Sequence, residues 1–135
     1  MQPYSFKIMN SRKTNSLTAI CVLLWTMFFL MSCDDIFVED ISNDTLQLLF
    51  PSSGAEISNS QVKLRWSEVS GATSYLLEVV TPGFSTGYEL VFDTLLEVNK
   101  CDTTLQAGTY GWRVKALNSE YSTAYFSSSF TILQQ

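Results

Sequence analysis

Thr109-Tyr110-Gly111-Trp112-Arg113-Val114-Lys115-Ala116-Leu117 is the stretch on which the fold turns. Tyr110, Trp112, Val114 and Ala116 fall on one parity, Arg113 and Lys115 on the other. Successive side chains of a β-strand point to opposite faces. The pattern therefore predicts a strand over 109–117 with one face buried and one wet.

The neighbouring runs follow the same rule. Over 61–66, Val62, Leu64 and Trp66 share a face against Lys63 and Arg65. Over 74–80, Tyr75, Leu77 and Val79 point in and Glu78 points out. Residues 88–93 are expected to turn Leu90 and Phe92 inward, and 124–133 to gather Phe126, Phe130 and Ile132. Shorter strands are expected over 45–50 and 101–105. Pro51-Ser52-Ser53-Gly54, Ser70-Gly71, Thr81-Pro82-Gly83 and Ala107-Gly108 supply the turns between runs. Seven strands in about 90 residues, with no convincing helical segment, predict an all-β immunoglobulin-like sandwich rather than a closed barrel. A domain of that size buries only about 60–65% of its unfolded surface. Trp66 and Trp112 are therefore expected between the sheets, where each covers a large apolar area.

Trp66, Ala72, Tyr75-Leu76-Leu77-Glu78-Val79, Leu105-Gln106-Ala107-Gly108-Thr109-Tyr110 and Trp112-Arg113-Val114-Lys115-Ala116 together resemble the fibronectin type III family. The resemblance covers roughly 45–133. It implies that Tyr110 makes the corner hydrogen bond of such sandwiches, with Leu105 as its upstream companion. Gly111 stands where a bulkier residue is usual, and a glycine inside a strand suggests a bulge. The resemblance implies a binding or spacer role rather than chemistry.

The first 33 residues read as an address. Lys7, Arg12 and Lys13 precede an apolar run of 15 residues over 17–31. That order is the signature of a secretory signal peptide. The run is short for a membrane span, which needs about 20 apolar residues; an uncleaved anchor helix is the alternative. Leu30-Met31-Ser32-Cys33 resembles the lipobox of bacterial lipoproteins, with Met31 a departure from the commoner small residue. The resemblance implies cleavage between Ser32 and Cys33. It also implies a covalent diacylglycerol and a fatty acyl chain, such as palmitate, on Cys33. The expected organisation is a signal peptide over 1–32, an acidic tether with lipidated Cys33 over 33–44, and a sandwich over 45–135. Asp34-Asp35, Glu39-Asp40 and Asp44 resemble an acidic signal that sends lipoproteins to the outer face of the outer membrane. Cell-surface display is the expected localisation, and a periplasm-facing anchor the alternative.

Charge and composition exclude several functions. All 13 acids lie after Cys33, against five bases, a net of −8. Such a module repels polyphosphate, so no nucleic-acid partner is expected. The chain has no histidine, which removes His-activated nucleophiles and disfavours catalytic zinc. No metal site or cofactor beyond the lipid is expected. Glu68, Glu78, Glu89, Asp93, Glu97 and Glu120 are scattered without a signature for paired-carboxylate hydrolysis, so no catalytic residue is assigned. Once Cys21 leaves with the signal peptide and Cys33 is acylated, Cys101 has no intrachain partner; its parity makes it a small core residue.

Four aromatics are least explained by a core: Phe84 and Tyr88 near the third turn, Tyr121 and Tyr125 near the last hairpin. They are the candidate ligand-facing residues. Asp44-Thr45-Leu46, Asp93-Thr94-Leu95 and Asp102-Thr103-Thr104 resemble a short bacterial O-glycosylation pattern, and Thr45 is the most accessible by position. The leading expectation is a lipid-anchored, non-enzymatic protein-interaction module contacting an envelope protein. A carbohydrate-binding accessory protein and a passive spacer are the alternatives.

Overall fold

The computed structural model describes residues 37–85 and 87–134. The expected signal peptide over 1–32, its cleavage site at Ser32-Cys33, and Asp34-Asp35 lie outside the described residues. Among the described residues there is no helix. Eight strands occur in chain order: β1 (Leu48–Phe50), β2 (Ala55–Ile57), β3 (Gln61–Trp66), β4 (Ser74–Thr81), β5 (Glu89–Leu96), β6 (Lys100–Thr104), β7 (Gly108–Leu117) and β8 (Phe126–Ile132). They form a sandwich of a three-stranded sheet, β1-β3-β6, and a five-stranded sheet, β2-β8-β7-β4-β5.

The count is eight rather than the expected seven. The extra strand is β2, which pairs parallel with β8 through Ala55↔Phe130, Glu56↔Thr131 and Ile57↔Ile132. Three residues are too few to show alternation, and Ser52-Ser53-Gly54 and Ser58-Asn59-Ser60 flank them. Only the parallel pairing makes this segment a strand. The expected first strand also shortens, to Leu48–Phe50, where a register shift against β3 lies between Leu48 and Phe50.

The core follows the pleat. Val62, Leu64 and Trp66 of β3 and Trp112, Val114 and Ala116 of β7 are buried, as are Leu77 and Val79 of β4 and Phe130 of β8. The Trp66 and Trp112 ring centroids are 6.5 Å apart, and Tyr75 meets Trp66 edge-on at 5.8 Å. Both indole N–H groups are buried, with no hydrogen-bond acceptor among the described residues. The Tyr110 hydroxyl donates to the Gln106 carbonyl at 3.0 Å, and the Tyr110 ring stacks on Phe130 at 5.6 Å. This is the corner bond the resemblance implies.

Two expectations need correcting. Leu90 does not face the core: it is 56% exposed. A bulge in the β4–β5 pairing sets Val79 opposite Phe92 but Val80 opposite Leu90, leaving Val91 unpaired. The extra residue reverses the parity of everything before it on β5. Cys101 is half-buried rather than buried. It packs against the core as a free thiol, and burial raises its pKa above the ordinary value, with a smaller contribution from Asp102.

The packed unit also reaches back into the segment expected to be a tether. Ile41 is fully buried within the core. The Asn118 side-chain amide donates to the Glu39 carbonyl at 2.8 Å and to Gly71 at 3.1 Å, tying this segment down. Ile36, Phe37 and Val38 break the acidic run in the sequence, and Ile41 breaks it again; of the described residues Phe37, Val38 and Ile41, Ile41 becomes core.

Truncating Trp112 to alanine removes the centre of the inter-sheet contact. The expected loss is about 3–5 kcal/mol of unfolding free energy. Tyr110→Phe removes only the corner bond, and the expected loss is about 1 kcal/mol. Urea denaturation of the purified protein, followed by tryptophan or tyrosine fluorescence, measures both.

Candidate functional site

The side chains that leave the core on β7 and its neighbours make the outer face of the five-stranded sheet. Register places Glu78 beside Arg113 and Asp93, and Gly111 between Val80 and Ser129. The connection from β4 to β5 folds back over this face. A Cβ on Gly111 would lie 3.0 Å from the Gly83 Cα and 3.0 Å from Cδ2 of Phe84. Gly111 is therefore not at a bulge: β7 stays in register with β4 and β8 through it. Its missing side chain lets another backbone come close, the second reason for a glycine inside a strand. Val80, paired with Gly111, is fully buried although it lies outside the central core.

Phe84 and Tyr88 meet edge-to-face at 5.5 Å. The Arg113 guanidinium lies 4.7 Å from the Phe84 ring centre and 4.2 Å from that of Tyr125, a double cation–π contact. Lys115 Nζ approaches Tyr125 at 5.0 Å. Arg113 also donates to Glu78 Oε2, from Nε at 2.6 Å and Nη2 at 2.5 Å. The Tyr125 hydroxyl donates to Glu78 Oε1 at 2.6 Å. Burial on its own would raise the Glu78 carboxyl. The hydrogen bonds from Tyr125 and Arg113 and the charges of Arg113 and Lys115 outweigh it, and the value falls below the ordinary one. Tyr125 is pushed up to about 12, first by burial, then by its bond to Glu78 and that carboxylate's charge.

Three of the four candidate aromatics, Phe84, Tyr88 and Tyr125, thus share one face. Tyr121 does not. Its backbone N–H donates to Asn118 Oδ1 at 2.8 Å, and its ring packs partly buried against the core. Arg113 holds the three together, through Phe84 and Tyr125 directly and Tyr88 at one remove. From the sequence, the alternation places Arg113 only on a wet face. The one signal that pointed to the return loop was a glycine inside a strong strand.

Two further features adjoin this face. A groove of about 450 Å³ runs between the return loop and β8, lined by Phe84, Ser85, Thr109, Gly111, Ser127 and Ser129 among others. On the opposite side, β5 is the sheet's last strand, so among the described residues one edge of its backbone has no partner strand. Tyr88, Leu90, Val91 and Leu95 stand exposed along it. Of the three Asp-Thr patterns, Thr45 is exposed ahead of β1. Thr94 pairs with Leu77 and Thr103 with Val62, so both face inward and are half-buried. Among the described residues no group of three or more His, Cys, Asp or Glu side chains could hold a metal ion.

Solved structures share this architecture. The fn3 domain of the human collagen alpha-1(XX) chain superposes with a TM-score of 0.51 at 18% identity, over 70% of this chain and 91% of that one. The fibronectin(III)-like modules of Clostridium thermocellum CbhA give a TM-score of 0.49 at 14% identity, over 67% of this chain and 98% of that one. A fibronectin type III domain from the human KIAA0970 protein gives 0.48 at 17% identity, over 66% and 73%. The class is a fibronectin type III-like sandwich. No protein-family model matches the sequence, and no curated protein matches it closely enough to count.

The Glu78–Tyr125 pair has a pH signature. The Glu78 contribution to stability is full above the ordinary carboxylate range and fades as pH falls through its lowered value. The Tyr125 contribution is full below about 10 and is lost as pH rises through about 12, because the unfolded chain ionises first. Ultraviolet titration of the tyrosines is expected to show one late group near 12. In Glu78→Gln that group should move part of the way down, since burial remains. Gly111→Ala is expected to cost about 1–3 kcal/mol through overpacking and to free Phe84 and Tyr88, seen in denaturant midpoints and aromatic NMR line widths.

Proposed function

We propose that this chain is exported, anchored by an acylated Cys33, and displayed at the outer membrane surface, where its sandwich acts as a non-catalytic protein-interaction module. The lipobox-like Leu30-Met31-Ser32-Cys33 behind a basic, then apolar, leader supports the anchor. Three acyl chains, at about 0.8 kcal/mol per buried methylene, would make attachment effectively permanent. Asp34-Asp35 supports display at the surface over a periplasm-facing anchor.

The β5 edge carries the interaction reading. It offers unpaired N–H and C=O groups with alternating side chains exposed, the surface that strand addition uses. Glu89, Asp93 and Glu97 run along it with no basic residue between them. Two copies meeting there would set acid against acid, so the edge resists self-pairing. It suits an extended partner segment with apolar side chains and basic residues at its flanks.

A second reading, a carbohydrate-binding accessory lipoprotein, is supported by Phe84, Tyr88 and Tyr125 lying on one face.

Two experiments test the first reading. Radiolabelled palmitate is expected to enter the chain and not its Cys33→Ser form, which should leave the membrane pellet; a Cys33→Ser form that stays put removes the anchor. A photo-crosslinking residue at Leu95 in living cells is expected to trap one defined envelope protein. The same probe at exposed Lys63, on the other sheet, should not, and Val91→Lys should abolish the adduct. Equal capture at both positions removes the interaction surface.

A further inference from the structure

We propose that the groove between the return loop and β8 binds a segment of a neutral polysaccharide, with Phe84 as its aromatic wall and serine hydroxyls as its polar contacts. This deepens the carbohydrate reading above and rests on it; it is independent of the anchor and of the β5 edge.

The lining chemistry selects the ligand. Ser53, Ser85, Ser127 and Ser129 are exposed around the groove, and none of their hydroxyls has a hydrogen-bond partner within the described chain. Each can donate one hydrogen bond and accept two, the capacity that sugar hydroxyls complement. No charged side chain lines the groove. Arg113, which lies against Phe84, already has Glu78 as its counter-ion and the Phe84 and Tyr125 rings beside it. An anionic or cationic ligand would find no partner there, while the net charge of −8 after Cys33 repels polyanions at longer range.

The wall is rigid. Phe84 is held down on Gly111, edge-on to Tyr88 and over the Arg113 guanidinium. An aromatic ring fixed in place spends little entropy on stacking against the C–H face of a pyranose. The volume, about 450 Å³, is within the range of small-ligand sites. The groove is shallow and open, which suits an internal stretch of a chain rather than an enclosed small molecule. β2 covers β8 only from Phe130 to Ile132. Beyond it, Ser128 joins Ser127 and Ser129 in lining the groove.

NMR titration of the purified full chain, in a non-glycosidic detergent, tests this. The probes are cello-, xylo-, malto-, laminari- and manno-oligosaccharides, with oligogalacturonate as the charged control. A neutral oligosaccharide is expected to give saturable shifts at millimolar concentration, centred on Gly83, Ser85, Gly111, Ser127 and Ser129. Phe84→Ala and Ser129→Val should each weaken binding about tenfold or more, and Ser129→Thr, which keeps the hydroxyl, should restore it. Ser129 is exposed, so its variants spare the core. Shifts centred on Tyr88 and β5, untouched by the Ser129 variants, would overturn the groove while leaving carbohydrate binding standing. Silence from every oligosaccharide would overturn both. Saturation by oligogalacturonate alone, or by an extended peptide alone, would overturn the neutral-sugar assignment.

Discussion

The pleat of β7 governs this molecule. A strand that sends Tyr110, Trp112, Val114 and Ala116 inward must send Gly111, Arg113 and Lys115 outward. The inward row meets Trp66 and Phe130 and closes the sandwich. The outward row builds the candidate face. Fold and site are two sides of one strand, and neither can shift register without exchanging its side chains with the other.

On the outward side, electrostatics and packing act together. Arg113 is bonded to Glu78 and sandwiched by Phe84 and Tyr125, so its charge organises three aromatic rings while being neutralised in place. Partly buried charges of this kind hold geometry more than they add net stability. The result is a preorganised aromatic surface. Its lowered carboxyl belongs to that framework, since Glu78 is saturated by Arg113 and Tyr125.

The two flanks of that face differ in chemistry. Toward β8 the surface is hydroxyl-rich and uncharged; toward β5 it is apolar, acidic and ends in unpaired backbone. A single small domain thus presents two surfaces of distinct chemistry. The acids along β5 set like charges beside an exposed apolar edge, an arrangement that disfavours edge-to-edge pairing of identical strands.

Strand positions, the two core tryptophans and the corner tyrosine were legible in the sequence, because each is a local consequence of alternation or of a turn residue beside a run. The composition also spoke to what the chain does not resemble, since histidine is absent whatever the fold. Tertiary structure alone decided the rest. β2 exists only by pairing with β8, whose partner residues lie 75 positions further along the chain, as in Ala55↔Phe130. The direction of Leu90 depends on a bulge that nothing in residues 88–93 announces. Ile41 becomes core in a segment that the Asn118 side chain, 79 positions from Glu39, ties down through the Glu39 carbonyl. The meeting of Phe84, Tyr88 and Tyr125 required a loop to fold over a strand, which depends on a side chain that Gly111 lacks. Local pattern specifies which way a side chain points along its own strand; which strands adjoin, and what crosses above them, is settled only when the whole chain has packed.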